Sequence, residues 1–274
     1  MTEHERRRIL DHPVLSGRLF FPQSEPPPDV TWVDVPGARL ACHHAVHDPA
    51  WPTIVHFHGN GEVVADHVPE LVDLARAARA NLFLAEYRGY GGSTGQPAVA
   101  TLLSDVPHVI RALGLPPARL IAFGRSLGSL LAIHATAMFS RLGGLVLESA
   151  IADPLERLLA RVQPWELDAT HEAVASAVET VLGHERKVRA YEGQVLVLHA
   201  RHDDIVDASH AERLYAWSDP DRARLVLLPF GDHNSVMFAN RRAYGEALAE
   251  LVAAVAAAGA SATSGASVKV ARTS

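Results

Sequence analysis

The chain has 274 residues, 48% of them hydrophobic and 20% charged, which supplies enough apolar material for a substantial core. Its net charge of −6 and pI near 6.2 argue against a broad electrostatic attraction to nucleic acid or anionic lipid. The single cysteine, Cys42, cannot form an intramolecular disulfide and lies in no nucleophile-type turn, which argues against disulfide-stapled folds and cysteine catalysis.

The N-terminal segment, MTEHERRRILDHPVL, lacks the apolar stretch of a secretory signal. No later stretch of the sequence is long and apolar enough to span a bilayer. A cytoplasmic location without a transmembrane segment is therefore the expectation, and the sequence gives no indication of oligomeric state.

Short apolar runs predict a sheet. A hairpin is expected where 30–35 and 38–46 flank Pro36-Gly37. Six further runs, bounded by Gly, Pro or charge, predict buried strands at 53–58, 81–87, 119–124, 144–149, 194–200 and 223–229. Between these strands apolar residues recur three and four positions apart, as at 68–79 and 127–139, which predicts helices. We predict an α/β fold with a mostly parallel sheet of about eight strands and helices on both faces.

Two segments depart from this alternation. Helical spacing over about 151–190, divided by Pro164-Trp165, predicts a small helical cap inserted into one domain of residues 1–258. Four cap residues could line an apolar acyl pocket or pack on the sheet, and the packing interpretation is favoured: Leu155, Leu158, Leu159 and Trp165. From Gly259 the sequence is rich in Ser, Ala and Gly, which predicts a disordered tail over 259–274.

A candidate nucleophile follows the third parallel strand. Gly124-Arg125-Ser126-Leu127-Gly128 matches G-x-S-x-G at a strand-to-helix junction, where glycines permit a sharp turn that exposes the serine hydroxyl. The alternative is that Ser126 only caps the next helix. Ser93, in the Gly-rich segment at 89–95, is disfavoured as a nucleophile.

A serine needs an imidazole as base and a group that orients it, and these follow downstream in the order acid then histidine. His233 lies in the loop after the last strand, which favours it over the histidines in helices, in the cap and near the acid loop: His134, His171, His184, His199, His202 and His210. For the acid, Asp203 is favoured because it follows the strand at 194–200. Asp204, Asp207 and Glu148 stay open as alternatives.

The segment His56-Phe57-His58-Gly59-Asn60-Gly61-Glu62 follows the first parallel strand. Asn60 or Gly61 is expected to supply one backbone N–H to an oxyanion hole, and Leu127 the other. A di-zinc site is the competing interpretation of His56 and His58, but Asn60 and Gly61 stand where its Asp and His would be needed. No metal and no cofactor are predicted.

Together, HFHGNGE, EYRGYGGSTGQP at 86–97, GRSLGS at 124–129, the segment around Asp203 and GDHN resemble the alpha/beta hydrolase superfamily over residues 18–257. Within that superfamily the chain resembles small-capped hydrolases of the serine aminopeptidase-like branch, which is related to depalmitoylases and monoacylglycerol lipases. The resemblance implies Ser126, Asp203 and His233 as the triad. Ala200, Asp207 and Asp232 depart from the family's usual pattern in the loops around the acid and the histidine.

The sequence thus predicts a serine hydrolase that cleaves a carboxylic ester or thioester of a small-molecule acyl substrate through an acyl-enzyme on Ser126. Amide or peptide hydrolysis uses the same residues and stays open. A non-catalytic binding module on the same fold is the third alternative, because some proteins of this fold have lost their triad.

Overall fold

The structure is a computed structural model that describes residues 1–266. One sheet of eight strands forms its centre, with the spatial order β1-β2-β4-β3-β5-β6-β7-β8. The first two strands and β4 pair antiparallel, and β3 to β8 run parallel. The strands are β1 (Val30–Val35), β2 (Ala38–Ala45), β3 (Thr53–Phe57), β4 (Asn81–Ala85), β5 (Leu120–Arg125), β6 (Gly144–Glu148), β7 (Gln194–Ala200) and β8 (Ala223–Leu228).

The helices of the described residues are α1 (Glu3–Leu10), α2 (Pro13–Leu19), α3 (Val64–Ala77), α4 (Val99–Ala112), α5 (Ser129–Met138), α6 (Pro154–Leu159), α7 (His171–Val181), α8 (His184–Arg189), α9 (Ser209–Trp217), α10 (Val236–Ala239) and α11 (Arg241–Ala266). No helix in residues 1–266 is both long and apolar enough to cross a membrane.

The two faces of the sheet carry separate cores. Successive strand residues alternate between them: Ile54 and Ile121 pack under α3 and α11, whereas Val55 and Ala122 face the side that holds α4 and α5. Every residue of β3, β4, β5 and β6 is buried, as expected for parallel strands covered on both sides. The predicted α/β architecture with about eight strands and helices on both faces is therefore confirmed.

The sequence patterns missed the two N-terminal helices. Helix α1 is only eight residues long and mostly polar, and its apolar contribution is confined to the buried Ile9 and Leu10. Thr2 and Glu5 form a capping box at its start. After its end, the Asp11 carboxylate accepts hydrogen bonds from the Ala100 and Thr101 N–H groups at 2.7 and 3.1 Å. This tertiary cap joins the N-terminal segment to the start of α4.

Between β6 and β7 the chain forms α6, a 3-10 turn at Pro164–Leu167, α7 and α8. These elements occupy the segment for which the sequence predicts a cap. At the other end, α11 continues to Ala266, past the predicted start of the tail at Gly259. The rest of that predicted tail, 267–274, lies outside the described residues.

Candidate active site

The turn at Ser126 has the geometry that its glycines predict. Strand β5 ends at Arg125, and a 3-10 turn over Ser126–Gly128 leads into α5. Ser126 has φ +49°, in the left-handed region. A Cβ at Gly124 would lie 2.6 Å from the Gly128 carbonyl oxygen, and one at Gly128 would collide with the Phe57 carbonyl. Only glycine at both positions allows β3 and β5 to approach the turn this closely.

Hydrogen bonds from Ser129 stabilise the turn. The buried Ser129 hydroxyl donates to the Ser126 carbonyl at 2.6 Å and accepts from the Ile151 N–H at 3.1 Å. The first bond stays within the turn, and the second connects it to the segment after β6. The Ser126 backbone is therefore held from two sides.

Ser126, His233 and Asp203 form a hydrogen-bonded row. Nε2 of His233 lies 2.9 Å from Oγ of Ser126, and Nδ1 of His233 lies 2.8 Å from Oδ2 of Asp203. An ionised carboxylate only accepts, so Nδ1 carries the proton and Nε2 of the neutral imidazole is free to accept the serine proton. The structure thus brings together the three residues that the sequence singles out.

The Asp203 carboxylate is held in its ionised form. Burial alone would raise its pKa, but hydrogen bonds from His233 and from the Val206 and Ile205 N–H groups outweigh burial and lower the pKa to about 2. The N–H groups of Ile205 and Val206 donate to its Oδ1 at 3.0 and 2.8 Å. An ionised partner favours the imidazolium that would form when His233 takes a proton.

Among the described residues, none of the alternative acids forms a hydrogen bond or ion pair with His233. Asp204 is exposed, and Asp207 accepts from the Ser209 N–H at 2.9 Å. Glu148 is buried against Arg125, whose Nε lies 3.3 Å from Oε1, and it accepts a hydrogen bond from the Tyr244 hydroxyl. Ser93, the disfavoured nucleophile, accepts a hydrogen bond from the Ala41 N–H at 2.9 Å and does not line the cavity at Ser126.

Arg125, which precedes Ser126, connects the nucleophile turn to the histidine loop. Its Nη2 donates to the His233 carbonyl at 3.0 Å and to Oδ1 of Asn234 at 3.1 Å. The guanidinium also forms ion pairs with Glu62 and Glu148. Burial would lower the pKa of Arg125, but these two carboxylates outweigh it and raise the pKa.

The sequence pattern did not indicate this role, because Arg125 occupies a variable position of the G-x-S-x-G motif. The available signal was a charged residue at the end of an otherwise fully apolar buried strand, which requires nearby carboxylates.

The loop after β3 is held by a buried histidine. Nδ1 of His58 lies 2.8 Å from the Gly59 carbonyl, and Nε2 lies 2.7 Å from Oε1 of Glu86. Both partners accept, so both ring nitrogens carry protons. Burial would lower the pKa of His58, but Glu86 outweighs it and raises the pKa. Among residues 1–266, no group of three or more His, Cys, Asp and Glu side chains is arranged to hold a metal ion.

Two of the three predicted oxyanion donors, Asn60 and Leu127, line the cavity that opens at Ser126. Gly61, which has φ +77°, is not among its lining residues. The Asn60 side chain is held in place because its amide donates to the Leu19 carbonyl while Oδ1 accepts from the Tyr90 hydroxyl at 3.0 Å. Of the two residues proposed for this loop, Asn60 is therefore the one that lies at the cavity.

None of the four apolar cap residues singled out in the sequence lines that cavity. Leu158 is buried in the core, and Leu155 and Leu159 pack against it. Trp165 is 71% exposed, so the packing expected of it is wrong: its ring lies on the surface. The residues of the predicted cap segment that line the cavity are instead Ile151, Arg157 and Arg161.

No protein-family model matches the chain. The uncharacterized protein YfhR of Escherichia coli strain K12 is 28% identical over 196 residues, which are 68% of this chain and 64% of that protein. The human alpha/beta hydrolase domain-containing protein 17B is 26% identical over 184 residues, 65% of this chain and 60% of that protein. The chain thus spans less than two thirds of the length of these curated relatives.

Among solved structures, the esterase RhEst1 from Rhodococcus sp. ECU1013 is similar with a TM-score of 0.64 and 18% identity. The match covers 83% of this chain and 100% of that one. At this identity the likeness concerns the fold.

Proposed function

Because the chain belongs to the alpha/beta hydrolase superfamily, we propose that it is a serine hydrolase that cleaves a carboxylic ester or thioester through an acyl-enzyme on Ser126. The observation that carries the proposal is the hydrogen-bonded row in which His233 contacts Ser126 at 2.9 Å and Asp203 at 2.8 Å. A serine that only caps a helix has no need of an imidazole at this distance.

In the acylation half, His233 takes the Ser126 proton at Nε2 while Oγ attacks the substrate carbonyl carbon. The negative charge that develops on the carbonyl oxygen would be stabilised by the N–H groups of Asn60 and Leu127. Asp203 stabilises the imidazolium through Nδ1. When the intermediate collapses, the imidazolium gives its proton to the leaving oxygen or sulfur, and the acyl group remains on Ser126.

In the deacylation half, the same imidazole removes a proton from a water molecule that attacks the acyl carbon. The acid product leaves, and Ser126 recovers its proton from His233. The apolar walls of the cavity, which include Leu19, Phe21 and Ile151, suit the carbon chain of an acyl group.

The names of similar proteins support hydrolysis of ester-like bonds. The matched structures include an esterase from Rhodococcus sp. ECU1013 and a monoacylglycerol lipase from Paleococcus ferrophilus. An amide or peptide substrate would use the same residues and would differ in protonation of the leaving amine.

The test combines fluorophosphonate labelling with turnover of p-nitrophenyl acyl esters, thioesters and aminoacyl amides. We expect wild type and Ser93→Ala to be labelled and to hydrolyse esters, whereas Ser126→Ala does neither and keeps its circular dichroism spectrum. Absence of labelling in folded wild-type protein would support a non-catalytic binding module. Faster turnover of amides than of esters would support the peptidase alternative.

A further inference from the structure

The cavity at Ser126 combines apolar walls with an unbalanced charge. It has a volume of about 260 Å³ and includes Ser126, His233 and Leu127. Its charged side chains are three arginines, Arg125, Arg157 and Arg161, and no Asp or Glu of the described residues lines it. A neutral ester needs no such arrangement, because apolar contacts and two oxyanion donors suffice to bind it.

The three arginines differ in how far their charge is neutralised. Arg125 pairs with Glu62 and Glu148, so its charge is matched. Arg157 and Arg161 have no carboxylate within ion-pair distance in the part of the chain that the structure describes. The uncompensated positive charge of the cavity therefore comes from the cap.

Two carboxylates of the cap near these arginines pair with other residues, and a third, Glu156, is 66% exposed and lies 4.0 Å from His210. Asp153 lies 3.3 Å from Arg213, and Glu166 lies 2.6 Å from Arg18. Neither residue lines the cavity. Both acidic residues lie close in the chain to Arg157 and Arg161, but their ion pairs are with arginines that do not line the cavity.

The two cap arginines are held to different degrees: the Arg157 side chain is half-buried and hydrogen-bonded, whereas Arg161 is exposed and lies beside an aromatic ring. Nη1 of Arg157 donates to the Ile205 carbonyl at 3.0 Å, which fixes the guanidinium against the loop that carries Asp203. The Arg161 guanidinium carbon lies 6.0 Å from the centroid of the Phe21 ring, and the Arg161 carbonyl accepts from Arg18 at 3.2 Å. The remaining N–H groups of a guanidinium form a planar fork that matches a carboxylate or phosphate.

We infer that Arg157 and Arg161 form an anion subsite, and that the substrate carries a carboxylate or phosphate group beside its scissile acyl bond. This inference rests on the proposed serine hydrolase function and names its substrate class. The anion would be held by the cap arginines, the apolar chain would lie against Leu19 and Ile151, and the carbonyl carbon would face Ser126.

The test compares esters that differ only in charge. One pair, the half p-nitrophenyl ester of glutaric acid and its methyl ester, places the anion on the acyl side. A second pair, p-butyryloxybenzoate and its methyl ester, places the anion on the leaving-group side. We expect the wild type to prefer the anionic member of at least one pair by about tenfold in kcat/KM. The preference should decrease as ionic strength rises.

Variants of the cap arginines test whether these residues cause the preference for anionic esters. In Arg157→Gln/Arg161→Gln the ratio of anionic to neutral kcat/KM should fall to about one, because this variant lacks the charge-assisted hydrogen bonds that the two guanidiniums would donate to the anion. Arg189→Gln is the matched control, because Arg189 is an exposed arginine of the same cap that pairs with Glu185 and lies outside the cavity. It should keep the wild-type ratio. A preference that survives in the double variant would overturn the inference.

Binding gives a readout that does not depend on turnover. In the Ser126→Ala background, the anionic esters should raise the melting temperature, and adding the two arginine substitutions should abolish the rise. Turnover of both neutral esters with no charge preference in either pair overturns the subsite and leaves the hydrolase proposal intact. Absence of labelling and turnover, with anion binding through the two arginines retained, would overturn the hydrolase proposal alone. Absence of that binding would overturn the subsite.

Discussion

Nη2 of Arg125 donates a hydrogen bond of 3.0 Å to the backbone carbonyl of His233. The bond joins residues 108 positions apart in the chain, and Arg125 is also the direct neighbour of Ser126. One side chain therefore connects the turn that presents the hydroxyl to the loop that presents the imidazole. Its charge is balanced by Glu62 and Glu148, so the connection lies within a buried network of ion pairs.

We predict that Arg125→Lys lowers kcat for ester hydrolysis about tenfold, with a smaller change in KM. A lysine retains a positive charge beside the two glutamates. Its single ammonium cannot at the same time donate to His233 and Asn234, as the planar guanidinium of arginine does. A slightly misplaced imidazole costs rate rather than binding. Steady-state kinetics and the rate of fluorophosphonate labelling measure the effect.

Arg125→Gln separates this positioning role from stability. It removes the positive charge beside the buried Glu148 and the half-buried Glu62, and breaking a buried ion pair costs about 3 to 5 kcal/mol of unfolding free energy. We expect urea denaturation to show a much larger loss for the Gln variant than for the Lys variant. Wild-type kcat in Arg125→Lys would contradict the positioning role.

Asp203→Asn tests the acid. The amide cannot hold the tautomer in which Nδ1 of His233 carries the proton, and in triads of this kind that change lowers kcat on the order of 10⁴-fold. The matched control is Asp204→Asn, because Asp204 is the exposed neighbour that also fits the sequence pattern. We expect the control to stay within about twofold of wild type. Equal losses in both variants would reopen the choice of acid.

Gly128→Ala should destabilise the protein by about 1 to 3 kcal/mol and reduce labelling of Ser126, because the added Cβ would collide with the Phe57 carbonyl. Gly17→Ala is the opposite case. Gly17 lies in α2 with nothing within 4 Å of an added Cβ, so alanine should stabilise by about 0.4 to 1 kcal/mol. Thermal melts of both variants measure the contrast, and a tolerated Gly128→Ala would be incompatible with the turn geometry.

A buried lysine gives the stability of this protein a pH dependence. Lys187 is 5% exposed, and its amine contacts the Val181 carbonyl at 2.6 Å and Nδ1 of His134 at 3.2 Å. Burial, assisted by Arg186, lowers its pKa from 10.5 to about 7. The unfolded chain therefore binds more protons than the folded one between these values, so Lys187 makes stability rise with pH in that window.

Lys187→Met removes this contribution and retains an apolar stem. The free energy of unfolding of the variant relative to wild type should be most favourable near pH 7 and should decline towards pH 10, by up to about 1.4 kcal/mol per pH unit. Urea denaturation of both proteins across that range measures it. Parallel pH profiles would show that Lys187 titrates normally in the folded state.

The sheet and the row of Ser126, Asp203 and His233 could be predicted because each rests on a local pattern. Apolar runs between turn residues identify buried strands, and G-x-S-x-G at a strand end identifies a sharp turn. Helices α1 and α2 could not be predicted in this way, because α1 buries only Ile9 and Leu10 and is stabilised by Asp11 reaching α4. Such a cap exists only after the chain has folded.

The sequence by itself determined which strands form, where the serine turn lies and which few acids and histidines could complete the site, because these features depend on periodicity and on residues close in the chain. Only the tertiary structure decided that Arg125 joins the turn to the histidine loop and that Asn60 rather than Gly61 lines the cavity. It also decided that the cap presents Arg157 and Arg161 while its leucines pack inward. These outcomes depend on how distant segments meet across the sheet, where burial and charge pairing select the contacts.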